Sequence, residues 1–407
     1  MGVKMIFAVF SAFLVVTMAE NSELQVLQSN GQFTNKLYKI LSKKEGNVFF
    51  SPASAHAVLA MSYLGSAGST EKAYATSLGL PSPSATADGY EQITNKLNNV
   101  PNVTLLIANK VYINQGFTLK ETFKTAIVDK FHSEVESVKF ADNVATANTI
   151  NKWVEDKTKN KIKDLIKSSS LDALTRLVLV NAIYFKGNWL NKFDKEATRT
   201  EPFHLNEKET IDVQMMHLYK KFNYKYDSDL KAKIVELPYS NPEVSLVIIL
   251  PDEIEGIKDV ETKLENVDLS KIMEGSYKTN VELALPKFKI ETTIPLKEPL
   301  AELGLGEIFS VKANFSNLIT TDEDLHVSEV IQKAFIEVNE EGTEAAAATG
   351  MILMARCMIL PSEPEDFIVD HPFFVMLAES GKKTSTKNIL FVGRISQIEN
   401  SMEASAL

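Results

Sequence analysis

The chain has 407 residues, of which 44% are hydrophobic and 24% charged, so it is globular in composition and long enough to bury a large core. Its formal net charge of −10 argues against a general nucleic-acid binder, and we expect no nucleic-acid partner. No Pro/Gly/Ser-rich linker, low-complexity break or internal repeat divides the sequence, so we expect one large domain.

Residues 1–19 have the pattern of a secretory signal peptide. Lys4 supplies a positive start, an apolar stretch runs from Met5 to Val16, and small residues up to Ala19 form a cleavage site. The alternative is a membrane anchor, but this stretch is shorter than the roughly 18 apolar residues that a span requires. We therefore expect a secreted, extracellular protein without a membrane span, whose single domain covers residues 20–407.

The cysteine count and two short motifs bear on processing. Cys357 is the single cysteine, so no internal disulfide can form and the fold must depend on its core. Two sequons, at Asn102 and Asn314, are candidate N-glycosylation sites in a secreted chain.

Apolar spacing predicts mostly helices in the first half of the chain. We expect helices at 23–43, from Ser51-Pro52 to about 65, and at 69–78, 87–98, 120–132 and 145–166. Short strands are predicted at 47–50 and 104–113. Residues 177–185 form a nearly continuous apolar run, which is typical of a central strand that is covered on both faces.

After Gly187, short alternating segments and turn residues dominate. Strands are predicted at 232–239, 244–251, 281–290, 331–338, 373–378 and 389–395. Because helices come first and strands later, without regular βαβ alternation, the sequence favours an α+β fold with large sheets.

An unusual run follows the strand at 331–338. It consists of Glu340, Glu341, Gly342, Thr343, Glu344, Ala345, Ala346, Ala347, Ala348 and Thr349. Alanine favours helix, yet this run lies between a strand and an irregular stretch, where a helix has little reason to form. Small unbranched side chains can also enter a narrow slot between two strands. The run is therefore either an inert surface loop or a loop that can become a strand.

Four segments together resemble the serpin family, and the resemblance covers essentially all of residues 20–407. They are residues 47–54, 175–189, 340–349 and 367–373. The resemblance implies a serpin fold with three β-sheets, about nine helices and an exposed reactive-centre loop at about 340–363. It also implies an inhibitor that performs no catalysis: a serine protease attacks the loop, forms an acyl-enzyme, and is trapped when the loop inserts into the main sheet.

Strand alternation supports this interpretation of the loop. If the loop inserts, every second side chain points into the core, and the inward set is Thr343, Ala345, Ala347, Thr349, Met351, Leu353 and Ala355. All of these are small or apolar, and no proline lies between Gly342 and Arg356. New backbone hydrogen bonds and apolar burial would release on the order of 10–20 kcal/mol, so the active form would be metastable.

The loop length of the family, counted from Glu340, places the reactive bond at Arg356–Cys357. Arginine suits a trypsin-like serine protease, which holds a carboxylate in its specificity pocket. A shifted register would instead offer Leu353, Met354 or Met358 to chymotrypsin-like or elastase-like proteases. Cys357 is either an unmodified small residue or a thiol whose oxidation blocks protease access.

The resemblance also assigns residues that control the conformational change. It pairs Lys287 with Glu340 at the base of the loop and places Trp189 beneath the top of the main sheet. The region where the sheet parts corresponds to Ser51, Ser54 and Asn181. Many serpins have a histidine in that polar region, whereas this chain has Gln332, which cannot titrate near neutral pH.

Other functions are less well supported by the sequence. No hydrolase, metalloprotease, nucleotide-binding or metal-site motif occurs, so we expect no enzyme, no metal and no cofactor. Basic residues at 157–163 and at Lys220-Lys221 leave a heparin-like polyanion as a candidate partner, although the helix at 87–98 has only Lys96. The rival is a non-inhibitory serpin that acts as a carrier, storage protein or chaperone. Similarity to arthropod haemolymph serpins suggests a role in an immune or melanisation cascade, and we expect a monomer.

Overall fold

The computed structural model of the chain describes residues 2–98, 100–321, 323–342, 363–380 and 386–398. Eight α-helices lie in these residues: α1 (Gly2–Leu41), α2 (Pro52–Gly65), α3 (Gly68–Leu78), α4 (Pro83–Asn98), α5 (Glu121–Phe131), α6 (Asn143–Lys157), α7 (Ile257–Leu264) and α8 (Lys297–Leu300). Most of them precede residue 158, as the apolar spacing predicted. None of the helices in the described ranges combines the length and apolar character needed to cross a membrane.

The strands in the described residues are β1 (Val48–Phe50), β2 (Val103–Asn114), β3 (Glu134–Val138), β4 (Leu177–Gly187), β5 (Arg199–His204), β6 (Thr210–Asp227), β7 (Ala232–Pro238), β8 (Val244–Pro251), β9 (Tyr277–Pro286), β10 (Phe288–Pro295), β11 (Val327–Val338), β12 (Glu365–Ile368), β13 (Phe373–Ser380) and β14 (Lys387–Ile395). Five of them form the main sheet, in the order β10-β11-β4-β2-β3. The other nine form a continuous second set of strands.

Strand β6 divides that second set into two groups. Its residues 210–224 pair with β5 and β9, and β12 lies beyond β9. Its residues 223–227 pair with β7, which leads through β8, β13 and β14 to β1. The strands thus form two hydrogen-bonded sheets, and counting the two groups that share β6 separately gives the three sheets of the α+β fold that the resemblance implied.

Two predicted element boundaries were wrong for local reasons. Helix α6 ends at Lys157 rather than 166, because Lys159 and Asn160 adopt left-handed conformations with φ of 51° and 60°. The strand predicted at 281–290 is two strands, β9 and β10, which are separated at Lys287. Strand β9 belongs to the second set and β10 to the main sheet, and the Lys287 N–H still donates to the carbonyl oxygen of Gln214 on β6, at 2.8 Å.

The main sheet is covered on both faces. Residues 177–185 of β4 are all buried, which confirms the prediction of a central strand. One face packs into the large core shared with α1, α2 and the second set of strands. On the other face, Ile150 and Val154 of α6 belong to a smaller cluster with Tyr184 of β4 and Phe335 of β11. Helix α6 therefore covers this face of the main sheet.

Candidate functional site

The main sheet has a parallel strand pair at its centre. Strands β11 and β4 run in the same direction and are paired from Val327–Leu177 to Phe335–Tyr184. Above that level, the pairing ends, and residues 336–338 of β11 are not paired with residues 185–187 of β4. The outer neighbours of the two strands, β10 and β2, are antiparallel to them. A strand antiparallel to both β11 and β4 could therefore pair between them and make the centre of the sheet antiparallel, which is slightly more stable per residue.

The chain that leaves β11 turns back at once. Asn339 and Gly342 exchange two backbone hydrogen bonds, of 2.9 and 3.1 Å, and thereby form a two-residue turn with Glu340 and Glu341 at its tip. Gly342 also makes an antiparallel bridge with Asn188, directly after β4. We call residues 339–342 the hinge turn. Gly342, the last residue of the hinge turn, already occupies the position that the first residue of a strand between β11 and β4 would take.

Glu340 anchors the hinge turn to the body of the protein. Its side chain, only 8% exposed, accepts hydrogen bonds from Lys287 Nζ at 3.1 Å and from Thr198 Oγ1 at 2.9 Å. Burial alone would raise the pKa of the Glu340 carboxyl. Hydrogen bonds from its own backbone, Lys287 and Thr198, together with the Lys287 charge, outweigh burial and hold this pKa below its ordinary value. The structure thus brings together the Lys287–Glu340 pair that the resemblance implied.

Glu341 provides a second anchor on the other side of the turn. Its carboxylate lies 2.6 Å from Lys192 Nζ and 3.2 Å from Lys195 Nζ. The hydrogen bond from Lys192 is the largest cause that lowers the pKa of Glu341, and the bond from Lys195 adds to it. Backbone N–H groups of Trp189 and Phe193 donate to the carbonyl oxygens of Glu341 and Glu340, both at 3.0 Å.

Trp189 supports the hinge turn from below. Its indole Nε1 donates to the carbonyl oxygen of Asn339 at 2.9 Å, and the residue is 3% exposed. The indole stacks on Tyr239 with ring centroids 4.4 Å apart and meets Phe193 edge-on at 6.3 Å. This packing places the hinge turn on a rigid aromatic base at the top of the main sheet.

A polar cluster lies lower in the sheet and joins β11 to β4. It consists of Ser51, Ser54, Asn109, Asn181 and Gln332. The Gln332 amide accepts from the Ser51 N–H at 2.9 Å, donates to the Ser51 carbonyl oxygen at 2.8 Å, and donates to Asn181 Oδ1. The Asn181 amide donates to Ser54 Oγ and Asn109 Oδ1. All members except Asn109 are buried, and none of them titrates.

Gly342 is required at its position by the close approach of the β4 end. Its φ is +123°, and a Cβ atom there would lie 2.1 Å from the carbonyl oxygen of Gly187. We expect Gly342→Ala to destabilise the hinge turn by about 1–3 kcal/mol and to make it a faster site of limited proteolysis. Gly116→Ala is the matched control, because Gly116 has φ of +110° with nothing within 4 Å. Equal proteolysis rates and melting temperatures in the two variants would contradict this account.

The two anchors also predict a pH dependence. Because the pKa values of Glu340 and Glu341 are lowered in the folded chain, their contribution is complete above the ordinary carboxylate pKa of 4.5 and is lost as pH falls through the folded values. We expect acidification from about pH 6 to below about pH 4 to loosen the hinge turn, as measured by its proteolysis rate. In a Glu340→Gln, Glu341→Gln variant that rate should depend much less on pH, and a response as steep as that of wild type would refute the assignment.

Several predicted site residues lie outside the described residues. They are Thr343, Glu344, Ala345, Ala346, Ala347, Ala348, Arg356 and Cys357. The sequon residues Asn102 and Asn314 are described, and both are exposed. Asn102 precedes β2 in a left-handed conformation with φ of 61°.

Two of the basic residues considered for a polyanion have an acidic neighbour. Lys96 pairs with Glu23. Lys157, at the end of α6, lies 3.4 Å from a Glu134 oxygen. A polyanion therefore remains a prediction that rests on sequence alone. Within the described ranges, no group of three or more acidic, histidine or cysteine side chains is placed to hold a metal ion.

The sequence did not indicate four contributors to the site. They are Asn109, Lys192, Lys195 and Thr198. Asn109 lies on β2 and reaches the polar cluster only because β2 pairs with β4. The other three belong to the irregular segment after β4, whose path no local pattern specifies. The sequence offered one indication of these residues. Lys192 and Lys195 are three residues apart and follow the predicted central strand.

Comparisons with known proteins agree with this geometry. The family model described as "Serpin (serine protease inhibitor)" matches residues 28–398. The chain is 40% identical to alaserpin of Manduca sexta over 93% of this chain and 97% of the relative. It is 38% identical to the leukocyte elastase inhibitor of Bos taurus over 91% and 99%. Among solved structures, Serpin48 of Tenebrio molitor superposes with a TM-score of 0.83 at 35% identity, covering 92% of this chain and 99% of that one.

Proposed function

The chain belongs to the serpin family, and from that premise we propose that it inhibits a trypsin-like serine protease by inserting its cleaved loop between β11 and β4. The observation that carries the proposal is the position of Gly342. This residue is bridged on one side to Asn339, at the end of β11, and on the other to Asn188, at the end of β4. The hinge turn is therefore the beginning of the strand that insertion would complete.

The register of that strand follows from the two bridges. Continued downward from Asn339 and Gly342, antiparallel pairing places Thr349 opposite Gln332 of β11. Continued from Asn188 and Gly342, it places Thr349 opposite Asn181 of β4. Gln332 and Asn181 are now paired with each other. The two continuations agree, so a loop strand fits between β11 and β4 without a shift of either strand.

This register also sets which loop side chains would be buried. Thr343, Ala345 and Ala347 would lie on the same face as Val338, Ile336 and Ala334, which belong to the large core and are at most 1% exposed. A large or charged side chain at those levels would have no room. The inward set of small residues is therefore what insertion into this sheet requires, and an inert surface loop would not require it.

Insertion of the loop would have to disrupt the polar cluster. A strand that separates β11 from β4 must break the Gln332–Asn181 hydrogen bond, and buried amides that are left unpaired are costly. Thr349 would arrive at that level with a hydroxyl that both donates and accepts. We infer that the cluster keeps the sheet closed until the loop supplies the replacement.

The protease class follows from the residue proposed at the reactive bond. Arg356 carries a planar cation that suits the carboxylate at the base of a trypsin-like specificity pocket. A relative named as an inhibitor, the leukocyte elastase inhibitor of Bos taurus, supports the inhibitory function. The hinge sequence contains no proline or bulky residue that would favour the non-inhibitory alternative.

Incubation with trypsin tests the function. We expect an SDS-stable complex of summed mass, and mass spectrometry should place the cleavage after Arg356. Cleavage without a complex would mean that the chain is a substrate-like, non-inhibitory serpin. A complex formed by cleavage at another bond would reject Arg356 but retain inhibition.

Secretion and a role in an extracellular protease cascade, of the immune or melanisation type, complete the proposal. Its support is the signal-like sequence at residues 1–19 and the exposure of both sequon asparagines. In a secreting host cell we expect the medium to contain chains beginning near Glu20, with glycans that are lost stepwise in Asn102→Gln and Asn314→Gln variants. Intact mass measurement decides this, and an unprocessed, unglycosylated chain retained in the cells would contradict secretion.

A further inference from the structure

Strand β11 contains one extra residue near the base of the main sheet. Val327 is paired with Leu177 of β4 and Glu329 with Val178, so Ser328 lies between two consecutive pairs. An extra residue of this kind is a β-bulge, which disturbs the ladder locally and redirects a side chain. The bulge lies at the boundary between β11 and β4, where the loop strand would enter.

The side chain of Ser328 joins the two strands at this level. Its Oγ accepts a hydrogen bond from the backbone N–H of Arg176, directly before β4, at 2.9 Å. We call this bond the basal contact. Asn181 of the polar cluster lies further along β4, so the basal contact is about 16 Å below that cluster, at about 3.3 Å per residue. The boundary between β11 and β4 is therefore held at two separate levels.

Each of the two strands is also tied to its outer side at the base. The Asn114 N–H, at the end of β2, donates to the carbonyl oxygen of Arg176 at 2.9 Å. Lys297 Nζ, in the segment after β10, donates to the carbonyl oxygen of Ser328 at 3.1 Å. When β4 and β11 move apart, each can keep its outer bond, and the basal contact is the one that must break.

The register of the proposed loop strand changes at the bulge. Antiparallel pairing continued from the hinge turn places Ile352 opposite both Glu329 and Val178, which are now paired with each other. One residue further, the loop strand still faces a paired position on β4 but meets Ser328 on β11. A loop inserted down to Ile352 leaves the basal contact closed, whereas residues 353–355 cannot enter until it opens.

We propose that Ser328 controls the last stage of loop insertion, an inference that rests on the function proposed above. Residues 353–355 enter in this stage and carry the linked protease through its last 10 Å or so, at about 3.3 Å per residue. Until then, water can hydrolyse the ester between the protease serine and Arg356, which frees the protease and leaves a cleaved chain. The basal contact therefore lengthens the interval in which the protease can escape.

Uptake of free loop peptides by the intact chain separates the two stages. The peptide of residues 343–352 reaches the bulge, and the peptide of residues 343–355 extends past it. We expect Ser328→Ala to take up the longer peptide about two- to tenfold faster than wild type, because one hydrogen bond fewer must break. The shorter peptide should enter both chains at the same rate. Fluorescently labelled peptides and size-exclusion chromatography give both rates.

Two matched variants test whether the hydroxyl is responsible. Ser328→Thr keeps the hydroxyl and should take up both peptides as wild type does. Ser137→Ala makes the same change at an exposed position of β3, at the level of Leu177 across the sheet, and should also match wild type. In the intact Ser328→Ala chain, hydrogen exchange of the Arg176 N–H should be faster, since its acceptor is gone.

Equal uptake of the longer peptide by wild type and Ser328→Ala would overturn the inference. Equal acceleration of both peptides would also overturn it, because Ser328 would then stabilise the sheet in general. Unchanged hydrogen exchange at Arg176 would overturn the basal contact itself. Uptake of neither peptide by wild type would overturn the opening of the sheet on which the inference depends. Only if a stable trypsin complex were absent as well would the proposed function fail with it.

Discussion

Arg356→Ala is expected to lower the rate at which the chain traps trypsin by about a thousandfold or more. A trypsin-like pocket is built around a buried carboxylate, and an alanine leaves that carboxylate without its partner. The loop and the sheet are unchanged by this substitution, so thermal stability and the ability to insert should stay the same. Stopped-flow or progress-curve measurement of trypsin inhibition gives the rate directly.

Arg199→Ala is the matched control for this prediction. Arg199 is an exposed arginine on β5, paired with Glu201 at the surface, and its loss should change the trapping rate little. If Arg356→Ala inhibits trypsin as fast as wild type does, the protease must be cleaving elsewhere in the loop. The nearby Leu353, Met354 and Met358 would then be the residues to test, with chymotrypsin-like and elastase-like proteases.

Glu340→Lys is expected to release the hinge turn and to speed spontaneous loop insertion or polymerisation. The substitution removes the partner of Lys287 and places a like charge beside it in a position that is 8% exposed. Breaking a fully buried pair costs about 3–5 kcal/mol, but Lys287 is 36% exposed, so we expect about 1–3 kcal/mol. If the contact is absent at the transition state for insertion, conversion at elevated temperature should be roughly 5–150 times faster.

Two further variants separate the hinge contact from a general charge effect. Glu196→Lys makes the same change at an exposed position near the hinge and should convert at the wild-type rate. Adding Lys287→Glu to Glu340→Lys restores an opposite-charge pair and should recover part of the lost stability, as a double-mutant cycle would measure. Equal conversion rates for Glu340→Lys and Glu196→Lys would show that the Lys287–Glu340 pair does not restrain the loop.

Local chemistry explains why much of the fold was predictable. The apolar run at 177–185 is typical of a strand covered on both faces, and β4 is such a strand. Ser51-Pro52 signalled the start of α2, where Ser51 Oγ accepts from the Ser54 N–H at 3.2 Å. The composition of the loop predicted an inserting strand, and the bridges of Gly342 give the proposed strand a register.

The remaining features depend on tertiary contacts that no local pattern encodes. Strand β6 was missed because several of its positions on both faces are exposed, which hides the alternation. The end of α6 was misplaced because the chain beyond Lys157 folds back on the helix. There, the Asn151 side chain bonds both the N–H and the carbonyl oxygen of Ile166, each at 2.9 Å. The lysines that hold Glu341 lie in the segment after β4, whose path is set by tertiary contacts with the hinge turn and with Pro238 of β7.

The crystal structure of the chain cleaved after Arg356 tests the central claim most directly. We predict that residues 343–355 form a strand antiparallel to both β11 and β4, with Thr349 between Gln332 and Asn181 and with Ala345 and Ala347 facing the large core. A cleaved chain in which Gln332 and Asn181 remain hydrogen-bonded to each other, with β11 and β4 still paired, would contradict the account.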